Sequence, residues 1–188
     1  WIDELLKGTS KTYRYRPVPV PLTFRGQLRP YQERGVAWLA FLAKFGFGAC
    51  LADDMGLGKT IQVLALLEDR RLKRLAGEKI SPSLVVVPRS LVFNWKQEAA
   101  RFTPDLRVKD HTSALRSHGS FEEWDVVLST YGTLRSDVMR WQDTTFDYAI
   151  LDEAQAIKNA TTESARAARL IRSKHRLALS GTPVENRM

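Results

Sequence analysis

Short apolar segments alternate with amphipathic segments through most of this 188-residue chain. The clearest is LVVVP at 84–88, a continuous apolar run typical of a central strand in a parallel sheet. The same reasoning predicts other strands at 48–52, 106–111, 125–130, 148–154 and 175–182. Helices are predicted at 30–44, 60–74 and 90–102, after 130 to about 141, and at 162–173. Strands that alternate with helices form a mostly parallel sheet covered on both faces, so the sequence predicts an α/β fold.

Polar clusters follow most of the predicted strands. They read DDMGLGKT, PRS, STYGT, DEAQ and SGTP in chain order. In an open parallel sheet, ligands bind beyond the carboxyl ends of the strands. We therefore expect one binding site at that edge, built from these loops.

The first of these loops ends in GKT, which closes a phosphate-binding loop of the form G-x-x-x-x-G-K-[ST]. Asp53 stands where that pattern has its first glycine. The part that contacts phosphate is intact, because backbone N–H groups, the Lys59 charge and the Thr60 hydroxyl bind phosphate oxygens and Mg²⁺. The predicted nucleotide-binding residues of the loop are Asp54, Met55, Gly56, Leu57, Gly58, Lys59 and Thr60.

Two adjacent carboxylates end the predicted strand YAIL. Asp152 is placed to hold Mg²⁺, directly or through water, and Glu153 to orient and deprotonate an attacking water. A helix N-terminus also favours acidic residues, which is the alternative explanation for either one. That alternative does not explain their pairing with GKT, which we expect on a neighbouring strand.

Composition excludes several other classes of protein. The net charge of +8 favours a polyanionic partner such as nucleic acid, although a solvated basic surface has the same charge. No apolar run approaches the ~20 residues of a membrane helix. The single cysteine, Cys50, is predicted to be a buried thiol, and His111, His118 and His175 lack metal-ligand spacing.

Six motifs in order carry a resemblance to a known family. They are LRPYQERGVAWL, LADDMGLGKTIQ, LVVVPRSLVFNW, VVLSTYGTLRSD, ILDEAQAIKN and LALSGTPVEN. The chain resembles the N-terminal RecA-like lobe of a superfamily 2 ATPase of the SWI2/SNF2 (Rad54-like) family, whose first motif often has an acidic residue at the position of Asp53. The approach VPVPLTFRGQLRPYQ is similar to bacterial members. Residues 1–26 are predicted to be an N-terminal connector, and 27–188 the RecA-like ATPase lobe.

The resemblance implies roles for residues outside the phosphate loop. Gln32, with Arg29 nearby, would read adenine, and Ser180 and Thr182 would couple the γ-phosphate to lobe movement. Gln155 replaces the histidine of many members and can still hydrogen-bond. Contacts to duplex DNA are expected from six residues in two of the motifs: Arg89, Ser90, Asn94, Trp95, Lys96 and Thr130. For Trp95, packing is favoured over stacking on a base.

The implied function is that of the ATP-binding lobe of a double-stranded DNA translocase that uses ATP and Mg²⁺ to remodel protein–DNA complexes. A second RecA-like lobe with arginine fingers is expected outside these 188 residues. The alternatives are an RNA-dependent superfamily 2 helicase lobe and a non-hydrolysing nucleotide-binding scaffold. We expect a cytoplasmic, nucleoid-associated protein if bacterial, and a nuclear one if eukaryotic. Arg166, Arg169 and Arg172 are predicted to lie on one side of a helix, most simply as a solvated face.

Overall fold

The computed structural model describes residues 18–54, 56–113, 116 and 119–181. Its six strands are β1 (Ala49–Leu51), β2 (Ser83–Val87), β3 (Val108–Asp110), β4 (Val126–Thr130), β5 (Thr145–Leu151) and β6 (Arg172–Leu179). Its helices are α1 (Pro30–Lys44), α2 (Lys59–Leu75), α3 (Val92–Phe102), α4 (Tyr131–Asp137) and α5 (Glu163–Leu170). Short 3-10 turns occupy Arg89–Leu91, Val138–Trp141 and Ala154–Ile157.

The strands form one sheet in the order β1-β6-β5-β2-β4-β3, and each described pairing is parallel. The central position predicted for the LVVVP strand is confirmed, because β2 lies between β5 and β4. The expectation that the GKT and DE loops follow neighbouring strands is wrong, because β6 lies between β1 and β5. The loop after β6 therefore starts between the GKT loop and the DE loop.

Alternate side chains of each central strand enter different cores. On β2, Val85 and Val87 join the core formed with α1, α2 and α3, whereas Leu84 and Val86 join the core formed with α4 and α5. All four side chains are fully buried. Helices on both faces explain why this strand is apolar at each position. The prediction of a RecA-like α/β architecture is confirmed.

The boundary between α5 and β6 differs from the prediction. The helix ends at Leu170, and Ile171 has extended backbone angles (φ −62°, ψ 125°). Strand β6 then begins at Arg172, which pairs with Thr145 of β5. The predicted stripe of three arginines on one helix face is wrong, because its third member is a strand residue.

The prediction of a buried Cys50 is also wrong. The thiol is exposed, while its neighbour Leu51 is 5% exposed and belongs to the first core. Strand β1 is an outer strand of the described sheet, and consecutive side chains of a strand point to opposite faces. An apolar neighbourhood in sequence therefore did not determine burial.

The described part of the predicted connector packs onto the lobe. Phe24 is a core residue whose ring stacks on Phe102 with centroids 6.0 Å apart, and the Arg25 N–H donates to the Phe102 carbonyl at 2.7 Å. Residues 1–17 of the predicted connector lie outside the described residues. Across the residues that are described, no helix is both long and apolar enough to cross a membrane.

The histidines fall into different environments. His111 is buried and its Nε2 lies 2.9 Å from a carboxylate oxygen of Asp137, which Arg116 also contacts. His175 is half-buried, and burial lowers its pKa. His118 lies outside the described residues. Among the described side chains, no group of histidine, cysteine and acidic residues has the arrangement of a metal cluster.

Candidate nucleotide site

The loop between β1 and α2 depends on two glycines with left-handed backbone. Gly56 has φ 84° and Gly58 has φ 77°, angles that side-chain-bearing residues rarely adopt. Gly58 has a second requirement, because a Cβ atom there would lie 2.5 Å from Nε2 of Gln32. The loop thus has the conformation and the closeness to α1 that only glycine permits at position 58.

Lys59 is the first residue of α2 and turns back over the loop. Its Nζ donates to the carbonyl oxygens of Asp53 at 2.7 Å and Asp54 at 3.2 Å. The ammonium is therefore held over the loop. Thr60 follows in the first turn of α2 and is half-buried, whereas Met55 lies outside the described residues.

Asp53 has a structural partner that the sequence reasoning missed. Its Oδ2 accepts a hydrogen bond from Nε2 of Gln62 at 3.0 Å. Gln62 is fully buried on α2, and its amide also approaches the Gly58 carbonyl at 3.4 Å. The signal was present in LADDMGLGKTIQ, where a glutamine follows the loop by one turn of helix.

Asp152 is a buried carboxylate, 6% exposed, immediately after β5. Its Oδ2 accepts from Nε1 of Trp95 at 2.7 Å, and its Oδ1 accepts from the Glu153 N–H at 2.9 Å. Burial raises the pKa of Asp152, while those two hydrogen bonds and the charge of Lys59 oppose the rise. The carboxylate is therefore held by one side-chain donor and one main-chain donor.

Glu153 has a strained backbone at the point where the base is predicted. Its angles are φ 48° and ψ 51°, and it is the non-glycine residue with positive φ in the described part of the chain. Such a conformation costs about 1–3 kcal/mol and persists only where the surrounding structure enforces it. The backbone therefore leaves the strand direction at Glu153, immediately before the 3-10 turn Ala154–Ile157.

A relay of side chains joins the loops after β5 and β6. The Gln155 amide donates to Oε2 of Glu153, and the Ser180 hydroxyl donates to Oε1 of Gln155 at 3.1 Å. The main-chain N–H of Ser180 donates to the Leu51 carbonyl at 3.1 Å, which ties this loop to β1. Thr182, the other residue predicted in this loop, lies outside the described residues.

Gln32 is held between its own helix and the phosphate loop. Its Nε2 donates to the Leu57 carbonyl at 3.0 Å, and its Oε1 accepts from the Arg29 N–H at 2.8 Å. The Tyr31 hydroxyl donates to the same Leu57 carbonyl at 2.9 Å. These contacts join α1 to the loop, and the sequence reasoning missed Tyr31. The adenine role of Gln32 and Arg29 stays a prediction.

The predicted DNA contacts divide into exposed and buried residues. Arg89 and Ser90 are exposed, as are Asn94 and Lys96, which pair with Glu98 at 3.0 Å and Asp110 at 2.7 Å respectively. They lie at and after the end of β2, on the 3-10 turn and the first turns of α3.

Two residues of that set are buried, and their role as DNA contacts stays a prediction. Trp95 is 3% exposed, because its indole lies in the core and bonds to Asp152. Thr130 is 7% exposed, and its hydroxyl caps α4 by accepting from the Thr133 N–H at 3.1 Å. The expectation that Trp95 packs instead of stacking on a base agrees with this geometry.

Comparison with known proteins identifies the family of this chain. The SNF2-related domain family matches residues 31–188, which is most of the chain. The chain belongs to the SNF2-related family. The identity that the six motifs indicated is therefore confirmed.

Relatives of this SNF2-related chain come from bacteria and eukaryotes. The Bacillus subtilis protein YwqA, which carries the name of an ATP-dependent helicase/translocase, is 46% identical over 171 residues, or 88% of the chain and 18% of YwqA. The TATA-binding protein-associated factor MOT1 of Saccharomyces cerevisiae is 34% identical over 183 residues, or 91% of the chain and 10% of MOT1. The chain thus spans less than a fifth of the length of either relative.

A solved SNF2 structure has the same fold. The SWI2/SNF2 ATPase core of Sulfolobus solfataricus in complex with dsDNA matches with a TM-score of 0.83 and 40% identity, covering 92% of this chain and 36% of that one. The Sulfolobus ATPase core domain alone matches with a TM-score of 0.80 and 38% identity, covering 93% and 35%. The chain therefore corresponds to one lobe of an SNF2 ATPase core.

The side chains of this SNF2 lobe fit a Mg²⁺–nucleotide. The glycine cradle has no room for a Cβ at Gly58, and it ends in a lysine and a threonine hydroxyl at the start of a helix. Hard oxygen ligands suited to Mg²⁺ are present in Thr60 and Asp152. The buried Asp152 carboxylate gains a counter-charge when a cation binds, which offsets its desolvation.

Proposed function

We propose that this chain is the ATP-binding lobe of a DNA-dependent ATPase that moves along double-stranded DNA and remodels protein–DNA complexes. The observation that carries the proposal is the convergence of three predicted groups at one edge of the sheet. Lys59 follows β1, Asp152 and Glu153 follow β5, and Glu153 is joined through Gln155 to Ser180, which follows β6. These are the groups that phosphoryl transfer to water needs for charge neutralisation, metal binding and activation of the nucleophile.

Each group has a distinct role in this proposal. Thr60 and Asp152 would hold Mg²⁺, which neutralises charge on the phosphate oxygens when it is bound. Lys59 exchanges its loop carbonyls for phosphate oxygens. Glu153 accepts the proton of the attacking water, and Gln155 fixes the carboxylate through its amide.

Duplex DNA is the proposed polymer. Arg89, Ser90, Asn94 and Lys96 form an exposed polar strip beyond β2, and the chain has a net charge of +8. Contacts of this kind grip phosphates without reading sequence, which suits a protein that tracks along the backbone. The Sulfolobus relative supports this proposal, because that ATPase core was solved with dsDNA.

A second RecA-like lobe in the longer protein completes the proposal. The chain spans 36% of the Sulfolobus ATPase core, so the remainder has room for another lobe with arginine fingers. The higher identity to YwqA than to MOT1 supports a bacterial protein. Remodelling of a protein–DNA complex is proposed from the resemblance to the family, with its substrate left open.

The test compares two variants of the full-length protein. Lys59→Ala should abolish ATP hydrolysis, and Glu153→Gln should keep ATP binding but lose hydrolysis, because it preserves shape and removes the base. Lys73→Ala is the matched control, since Lys73 lies on the same helix and its ammonium pairs with the nearby Asp69. Near-normal turnover in Lys59→Ala would overturn the assignment.

The polymer that stimulates hydrolysis separates the alternatives. Duplex DNA should stimulate the wild type, and its effect should fall steeply with added salt because phosphate contacts release counterions. Stimulation by single-stranded RNA alone would identify an RNA-dependent helicase. Nucleotide-dependent DNA binding with no turnover would identify a scaffold.

A further inference from the structure

Two elements next to the proposed DNA-binding strip each donate one hydrogen bond to Asp152. From α3, Nε1 of Trp95 reaches the Asp152 carboxylate at 2.7 Å. From α4, the hydroxyl of Tyr131 reaches the Asp152 main-chain carbonyl, also at 2.7 Å. Asp152 therefore receives two hydrogen bonds, one from the helix after β2 and one from the helix after β4.

Trp95 lies on the same helix as two residues of the exposed strip. It lies between Asn94 and Lys96 in the sequence, yet its indole is 3% exposed and enters the core. Indole N–H is only a donor, and Oδ2 of Asp152 is its described acceptor. A shift of the first turns of α3 against the sheet must therefore stretch or reorient this bond.

Tyr131 fixes the peptide on the other side of Asp152. It is the first residue of α4 and its ring is partly buried. The carbonyl that it holds belongs to the peptide joining Asp152 to Glu153, and Glu153 has the left-handed backbone described above. Tyr131 therefore connects the first turn of α4 to the peptide that precedes Glu153.

We propose that Trp95 and Tyr131 are positioning residues that couple DNA contact to the metal-binding carboxylate and the base. This inference rests on the proposed function. Binding of duplex DNA to the strip on α3 and to the start of α4 sets the positions of both donors. Trp95 then sets the orientation of the Asp152 carboxylate, and Tyr131 sets the peptide that carries Glu153.

The alternative is that both bonds only satisfy buried polar groups. A buried carboxylate needs hydrogen-bond donors whatever its function. That role predicts a loss of stability on substitution and nothing else. The positioning role predicts a change in the linkage between two ligands, and such linkage is reciprocal, so it is measurable from the DNA side without any hydrolysis.

The experiment uses Trp95→Phe and Tyr131→Phe in the full-length protein. Each keeps an aromatic ring and removes one donor to Asp152. Trp141→Phe is the matched control, because Trp141 is 6% exposed and packs in the second core, among α4, α5 and Phe146. The readouts are the Mg²⁺ concentration needed for binding of the ATP analogue AMP-PNP, and the Kd for a fluorescein-labelled duplex with and without Mg²⁺–AMP-PNP.

The positioning role predicts different outcomes for the variants. Trp95→Phe should raise the half-saturating Mg²⁺ concentration by about 10-fold or more, the usual effect of losing a partner of a metal ligand. In both Trp95→Phe and Tyr131→Phe, the DNA Kd with Mg²⁺–AMP-PNP should approach the Kd without it, so the ratio of the two values should approach one. The Kd without nucleotide should stay close to wild type, and Trp141→Phe should keep the wild-type ratio.

Two results would overturn the inference. One is a wild-type Kd ratio and Mg²⁺ dependence in both variants. The other is an equal change of the ratio in Trp141→Phe, which would show a general effect of core substitution. Steady-state ATP hydrolysis by Lys59→Ala, measured in parallel, separates this failure from failure of the proposed function. If that variant still hydrolyses ATP, the site assignment is wrong; if it does not, only the coupling is wrong.

Discussion

The Asp53 carboxylate and the Gln62 amide form a 3.0 Å hydrogen bond across the base of the phosphate loop. Asp53 stands where a common phosphate-binding loop has glycine, and Gln62 is fully buried on the helix that follows. The bond ties the entrance of the loop to the second turn of α2. The acidic residue is therefore a structural part of this loop.

Asp53→Gly should destabilise the lobe even though it restores the common loop pattern. The buried Gln62 amide would lose its carboxylate partner, which costs about 1–3 kcal/mol. Urea unfolding of wild type and variant measures the difference. Asp54→Gly is the control, because its side chain is exposed and it shares the backbone entropy change of glycine. Equal losses in the two variants would contradict the role of Asp53.

Gly35→Ala should destabilise the lobe although alanine favours helices. A Cβ at position 35 would lie 1.9 Å from Oε1 of Gln62, so the Gln62 side chain would have to leave its place beside Asp53. Gly132→Ala is the matched helical control, because its nearest atom is 3.8 Å away, and it should stabilise by about 0.5–1 kcal/mol. Thermal unfolding distinguishes them, and two variants that both gain stability would disprove the clash.

Asp137 should make stability depend on pH in acid. The bond from Arg116 holds the pKa of this carboxyl well below its usual range, with a further contribution from His111. Because the folded pKa is the lower one, the stabilisation is complete above the unfolded value of about 4 and is lost as pH falls below it.

The measurement is urea unfolding of Asp137→Asn between neutral and acid pH. The variant should have a free energy of unfolding about 2 kcal/mol or more below that of the wild type at neutral pH, the usual scale for a charged hydrogen bond. The difference in unfolding free energy between the two proteins should narrow below about pH 4. Asp143→Asn is the control, because Asp143 is exposed. A gap that stays constant with pH would show that the ion pairs do not carry the effect.

The 188-residue chain alone should hydrolyse ATP far more slowly than the full-length protein with duplex DNA. An arginine supplied across the phosphates is worth about 10³–10⁵ in rate in related phosphoryl transfer. Steady-state ATPase assays of both proteins, with and without duplex DNA, measure the ratio. Equal rates would mean that the arginine function lies within these residues, where Arg89 would be tested first.

The sequence by itself determined the fold class, and it predicted the chemistry of the loops. The continuous apolar run at 84–88 requires burial on both faces, so it specified the central parallel strand β2. The predicted phosphate and metal binding rests on a short local sequence, because the neighbouring N–H groups, Lys59 and Thr60 stand at consecutive positions. Asp152 and Glu153 followed from the same logic at the end of a strand.

Only the tertiary structure decided which distant residues meet. The insertion of β6 between β1 and β5 placed Ser180 beside Gln155, and nothing in either segment specifies strand order. Burial of Trp95 and exposure of Cys50 depend on which face each element turns to the sheet. The bond from Trp95 to Asp152 forms because packing of α3 brings donor and acceptor within reach. Such pairings are products of the packed core, whose contacts join residues far apart in the chain.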